Sequence, residues 1–96
     1  MAFDFHPKAQ QELEEAVSYY DNINPILGNQ LIAEIELVLS RIEQFPESWP
    51  KLSANTRRCR TKNFPYGVVY KRSETGIFIV AVMHLQRKPN YWSDRL

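Results

Sequence analysis

Apolar positions change period once along this chain, and the change divides it into a helical half and a stranded half. Phe3 and Phe5 alternate with polar neighbours, as in a short strand with one buried face. Pro7 suits the first position of a helix, where its missing N–H costs nothing. Ala9, Leu13, Ala16, Val17 and Tyr20 then recur at steps of three and four and form one apolar stripe. Asp21-Asn22-Ile23-Asn24 breaks the pattern. Asn24 is a good N-cap and Pro25 again a good first residue, so a second helix follows at once. Its stripe is Leu27, Leu31, Ile35, Val38, Leu39, Ile42 and Phe45. So short a connection between two amphipathic helices predicts an antiparallel hairpin.

Pro46 and Pro50, flanking Glu47-Ser48-Trp49, end the helical half, and alternation replaces the helical period after them. Arg58, Arg60 and Lys62 share one face of a strand, with Arg57, Cys59 and Thr61 on the other. Phe64-Pro65-Tyr66-Gly67 reads as a turn, Val68 to Arg72 as a strand, and Ser73-Glu74-Thr75-Gly76 as a second turn. Ile77 to Met83 is apolar at every position, which predicts a central strand covered on both faces. The expected order is β-α-α-β-β-β, an α+β fold. Its N-terminal strand and helical hairpin accompany a mainly antiparallel sheet, with the hairpin packed on one face. Leu13, Val17, Tyr20, Leu31, Ile35, Val38, Leu39, Ile42, Val69, Ile79 and Ala81 are then expected between hairpin and sheet.

Ninety-six residues suffice for one core, and residues 1–96 are expected to form a single domain. The start, Met1 to His6, lacks the basic region and apolar run of a signal peptide. The longest apolar run, Ile77 to Met83, is strand-sized and too short to span a bilayer, so no membrane role is expected. A single cysteine, Cys59, excludes an intrachain disulfide and argues against a Cys-based zinc site. The expectation is a cytoplasmic protein with no metal and no cofactor.

Charge adds a second division. Through Ser48 there are two basic residues, Lys8 and Arg41, against nine acidic ones, a balance of −7. From Trp49 onward ten Lys/Arg face only Glu74 and Asp94, a balance of +8, so the net +1 conceals a strong dipole. Trp49, Phe64, Tyr66, Tyr70, Phe78, Tyr91 and Trp92 are interleaved with these cations. On the expected fold the acids lie outside the helices. The sheet face away from them becomes a basic concavity rimmed by Tyr66, Tyr70 and Tyr91, suited to a polyanion or an acidic segment. Arg58, Arg60, Lys62, Tyr66, Tyr70, Arg87 and Trp92 are the candidate binding residues. A solvated basic face that only aids solubility is the plainer alternative.

Phe64-Pro65-Tyr66, Val69-Tyr70, Ile77-x-Ile79-x-Ala81-Val82-x-His84, Arg87-x-Pro89-x-Tyr91-Trp92 and Arg95 together resemble the RelE/ParE toxin superfamily. Pro7-x-Ala9, Glu12-Leu13, Ala16, Tyr19-Tyr20 and Leu27-Gly28 extend the similarity through the helical half. The resemblance implies a toxin of a bacterial type II toxin–antitoxin pair, of the plasmid-stabilisation type, blocked by a cognate antitoxin that wraps it. Its ParE-like branch poisons DNA gyrase without chemistry of its own. Its RelE-like branch cleaves mRNA in the ribosome, and a non-toxic remnant that only binds an antitoxin is a third possibility.

A metal-independent mRNA endonuclease needs a base for the ribose 2′-OH, cations for the phosphorane and an acid for the leaving oxygen. His84, Arg87 and Tyr91 are the candidates if the chain is an enzyme, with Arg58, Arg60 and Lys62 as further cations. No carboxylate is expected on that face except Glu74 in a turn. His84 suits a structural hydrogen bond as well as a proton transfer, and Trp92 suits packing against the sheet. Arg58, Arg60 and Lys62 suit protection of an edge strand as well as binding.

Overall fold

The structure, a computed structural model, describes residues 2–96. Strand β1 (Ala2–Phe5) leads into helices α1 (Pro7–Ile23) and α2 (Pro25–Gln44). Strands β2 (Arg57–Arg60), β3 (Tyr66–Ser73) and β4 (Gly76–His84) follow, then a single 3-10 turn at Ser93–Arg95. The four strands form one sheet in the order β1-β4-β3-β2. β4 pairs antiparallel with β3 and β3 with β2, whereas β1 lies parallel to β4, so the sheet is mixed. Three antiparallel strands and a parallel edge, with a helical hairpin on one face, are the α+β architecture expected from the period change.

Local chemistry sets the helix ends. His6 Nδ1 accepts from the Lys8 N–H at 3.0 Å ahead of Pro7, which opens α1. Asn24 serves both helices at once: its N–H donates to the Tyr20 carbonyl, and its Oδ1 accepts from the Ile26 N–H at 2.9 Å. One extended residue therefore separates the helices, and α1 runs on to Ile23, past the break expected at Asp21. Gly28 leaves room for the Asp21 carboxylate, with which a Cβ there would collide.

The core has two layers, one on each face of the sheet. Leu31, Ile35, Val38 and Ile42 of α2 and Ala9 and Ala16 of α1 pack on Cys59, Val68, Tyr70, Ile77, Ile79 and Val82. Leu13, Val17, Tyr20 and Leu39 are half-buried against the same layer. Val69 and Ala81 are buried too, but on the far face with Val80, Met83 and Trp92, which corrects their expected place under the hairpin. Val69 takes the far face by plain alternation between Val68 and Tyr70, whereas a bulge moves Ala81: Val69 pairs with Ala81 and Tyr70 with Ile79, leaving Val80 as an extra residue that shifts the alternation of β4. Phe45 is also corrected. It ends α2 with its side chain 56% exposed rather than continuing the stripe. Tyr66 and Gly67, expected in a turn, open β3.

The far face is not the open concavity expected from the sequence. After His84 the chain turns back, with Asn90 in the left-handed region (φ 65°), and seats Trp92 against the sheet at 2% exposure. Asn tolerates that conformation better than most residues. The C-terminal segment thus fills one part of the face and leaves a narrower groove beside it.

Candidate functional site

The C-terminal segment is pinned to α1 through one carboxylate. Glu12 Oε1 accepts from Arg95 Nη1 at 2.9 Å and from the Val82 N–H at 3.0 Å. Its Oε2 accepts from the Tyr91 hydroxyl at 2.7 Å and from Arg95 Nη2 at 3.0 Å. Arg87 stacks on the Tyr91 ring, 3.8 Å from its centroid, and reaches to 3.6 Å from the same Oε2. The expectation that no carboxylate stands among His84, Arg87 and Tyr91 is therefore wrong, as is the placing of every helical acid outside. The signal was present in the sequence: Glu12 stands three residues after Ala9 and four before Ala16, both of which are buried. Glu74, the carboxylate named instead, is exposed in the β3–β4 turn.

Electrostatically this cluster is closed on itself. Burial pushes the Tyr91 hydroxyl well above its ordinary range, and its hydrogen bond to Glu12 pushes it further. The hydrogen bond to Glu12 likewise raises Arg95, against the lowering effect of burial. His84 sits beside this cluster, its Nδ1 accepting from the Gln86 N–H at 3.1 Å and its ring edge-on to Tyr66. A cleft of about 230 Å³ lies here, lined by Glu12, Glu15, Ala16, Tyr19, Tyr66, Val82, His84 and Arg87.

A second opening lies on the far face. Leu52, Arg58, Met83, Leu85, Arg87, Pro89, Asn90 and Trp92 line a groove of about 290 Å³. Trp49, Pro50, Arg58 and Arg60 line a further one of about 460 Å³. Arg58 borders both, and no carboxylate lines either. Burial, and then the neighbouring Arg60, lower the Arg58 pKa, and Arg58 Nη1 makes a long contact of 4.0 Å to Met83 Sδ. Gly67 makes room for this arginine: a Cβ there would come within 2.8 Å of Arg58 Cδ and 2.9 Å of its Cγ. A half-buried guanidinium with no carboxylate partner among the described residues, over an apolar floor, is suited to an incoming anion.

The remaining candidates are placed differently from the expected rim. Tyr70 is buried in the hairpin layer, its hydroxyl donating to the Pro46 carbonyl at 2.6 Å, and burial pushes its pKa up to about 12. Tyr66 packs on the hairpin side against Tyr20 and His84. Both point away from the groove because the β3 residues facing α2 are Val68 and its same-face neighbours. Trp92 is floor rather than free surface. Lys62 lies past the end of β2, where its backbone N–H and Asn63 are held by Glu34. Arg87 alone borders both the groove and the His84 cleft. Among the described residues no His, Cys, Asp and Glu cluster is arranged to hold a metal ion. Nor, among the described residues, is any helix long and apolar enough to cross a membrane.

Known proteins share this fold. Residues 3–89 match the family described as the ParE toxin of the type II toxin–antitoxin system parDE. Toxin ParE2 of two Mycobacterium tuberculosis strains, CDC 1551 / Oshkosh and H37Rv, is 31% identical over 86 residues, covering 88% of this chain and 82% of the relative. A solved structure described as the chromosomal ParDE TA system from P. aeruginosa superposes with a TM-score of 0.64 at 11% identity. That match covers 90% of this chain and 97% of the other, a likeness of fold. The chain belongs to the ParE toxin family, and is a ParE-like toxin component of a type II toxin–antitoxin system.

Proposed function

We propose that this toxin inhibits growth by binding DNA gyrase in the cytoplasm and holding it on cleaved DNA, with no chemical step of its own. The observation that carries this reading is the state of Glu12. A general base needs a free lone pair facing the substrate, and a general acid needs a proton it can release. Glu12 spends its oxygens on Arg95, Tyr91 and the Val82 N–H, and the Tyr91 proton is held by Glu12. The group that comes nearest to a base–acid pair is thus a clamp on the C-terminal segment. A clamp suits a protein that presents a rigid surface to a large target.

A ribosome-dependent mRNA endonuclease is the second reading, and one observation favours it: His84 and Arg87 line a common cleft. Arg87→Ala and His84→Gln separate the two. In a gyrase poison, loss of toxicity follows loss of gyrase affinity in both variants. In a nuclease, Arg87→Ala lowers the single-turnover cleavage rate far more than it weakens ribosome binding, because its charge would act in the transition state.

The antitoxin that silences the toxin is assigned to the groove around Arg58, Arg60 and Arg87, through an acidic, amphipathic segment. Cations above a floor of Leu52, Met83 and Trp92 suit carboxylates alternating with apolar anchors. Association should then slow as salt is raised, since charge governs encounter. A salt-independent on-rate would instead favour an antitoxin site on the exposed apolar residues of the hairpin, among them Tyr19, Ile23, Ile26, Ile32 and Leu37.

A further inference from the structure

At the end of β3 remote from Tyr66 lies another cationic crevice, of about 370 Å³. It shares no lining residue with the groove or with the His84 cleft. Lys51, Arg57, Lys71 and Arg72 converge there beside Asn55 and Thr56, with Glu47 as the single carboxylate in the lining. Among the described residues none of the four cations takes part in an ion pair.

Such convergence works against the fold. Lys51 stands directly opposite Arg57 in an antiparallel bridge, a placement in which like charges destabilise a sheet. Two of the cations are nonetheless held in place. Arg57 Nη1 donates to the Trp49 carbonyl at 2.8 Å, and Lys71 Nζ lies 5.5 Å from the centre of the Phe78 ring. Fixing a side chain beforehand lowers the entropy lost when a ligand arrives. Lys51 and Arg72 remain exposed at the rim.

The lining also narrows the class of ligand. It contains no aromatic residue, and Ala54 is its one hydrophobic residue. Single-stranded nucleic acid is held largely by bases stacked on aromatic rings, and peptides by side-chain anchors in apolar pockets. The crevice offers neither. A row of duplex phosphates requires neither, being bound by cations that displace its counterions. We infer that this crevice binds the phosphate backbone of a nucleic-acid duplex, without reading its sequence. The inference stands independently of the gyrase reading, because it concerns the toxin and the duplex alone.

The test is fluorescence anisotropy of the intact purified chain. The probes are a short labelled DNA duplex, the RNA duplex of the same sequence and a single strand, with polyglutamate as competitor. Both duplexes should bind more tightly than the single strand, and the affinity should fall linearly on a log–log plot against salt. Lys51→Gln and Arg72→Gln change exposed side chains that have no hydrogen-bond partner among the described residues, so the fold should persist, which an unchanged melting temperature verifies. Each should weaken duplex binding and reduce the salt slope by about one unit. A preference between the two duplexes supports the inference and names the source of the phosphates. Wild-type affinity in the double variant overturns it, as does a loss confined to Arg58→Gln and Arg60→Gln. Tighter binding to the single strand, or equal binding to polyglutamate, assigns the crevice to another class of ligand and overturns it too.

Discussion

Replacing Glu12 by Gln keeps the shape of the side chain and removes its charge, which isolates what the clamp contributes. Arg95, whose side chain is 8% exposed, would then keep a buried guanidinium without the carboxylate it is bonded to, only the weaker influence of Asp94 remaining. The Tyr91 hydroxyl and the Val82 N–H would each face a weaker acceptor, or none. Breaking one partner of a buried pair costs about 3–5 kcal/mol, because the other charge stays desolvated. Arg87 adds little to that figure, since it is half exposed and 3.6 Å away, where solvent screens the attraction. Domains of this size hold together by only about 5–15 kcal/mol, so a large share of the total is at stake. At about 4–8 °C per kcal/mol for a chain of this length, the melting temperature should fall by about 12–40 °C. Urea unfolding and thermal melts at neutral pH measure both quantities. Adding Arg95→Met to Glu12→Gln should restore much of the loss, since no unpaired charge remains. A cost below about 1 kcal/mol, typical of an exposed pair, would refute the reasoning. Strict additivity of the two substitutions would refute it equally.

Three further outcomes follow from the packing and the charges. Ile35 is 3% exposed between hairpin and sheet, so Ile35→Ala should cost about 2–5 kcal/mol in urea unfolding. Burial raises the Glu34 carboxyl, but hydrogen bonds from Asn63 and the Lys62 N–H outweigh it and hold the pKa below its ordinary 4.5. Its stabilising effect is therefore present above that value and lost as pH falls through the lower folded pKa. Wild type and Glu34→Gln should differ in stability at neutral pH, and the difference should shrink as the pH falls below 4.5 and through the lowered folded pKa. The Cys59 thiol is buried and its pKa is raised by that burial, against the opposing charge of Arg41. It should resist alkylation in the native protein and react once the chain is unfolded in urea, as mass spectrometry would record.

The elements were legible because each is announced by a local signal. Pro7, the Asn24-Pro25 pair and the change of period after Pro50 mark boundaries that the structure keeps within a few residues. Which face a residue takes was less legible wherever the alternation is interrupted. The extra Val80 at the bulge moves Ala81 to the Trp92 side, and bulges leave no distinctive mark in an unbroken apolar run. Tyr66 and Tyr70 were assigned to the cationic face although they share parity with Val68, which lies under the hairpin. A tyrosine's amphipathic ring suits either surface, so composition alone could not place them. Glu12 shows a different limit. Its helical phase with Ala9 and Ala16 marks an inward carboxylate, but its partners lie some eighty residues further along the chain. Only the return of the C-terminal segment over the sheet brings Tyr91 and Arg95 to it. The half-chain charge division did survive folding. It is resolved into a groove around Arg58 and a separate crevice around Arg57 rather than one continuous basic face.

Side-by-side incubation of the purified toxin with gyrase and with translating ribosomes tests the central claim most directly. In the first reaction, supercoiled plasmid is incubated with gyrase, denatured and separated on a gel. In the second, primer extension maps the ends of an mRNA carried by the ribosomes. A clamp at Glu12 and no chemical step predict linear DNA that accumulates with toxin concentration, covalently attached to gyrase, while the mRNA stays intact. Addition of the antitoxin should prevent the accumulation. Codon-positioned cuts in the mRNA that vanish in Arg87→Ala, with the plasmid untouched, would contradict the account.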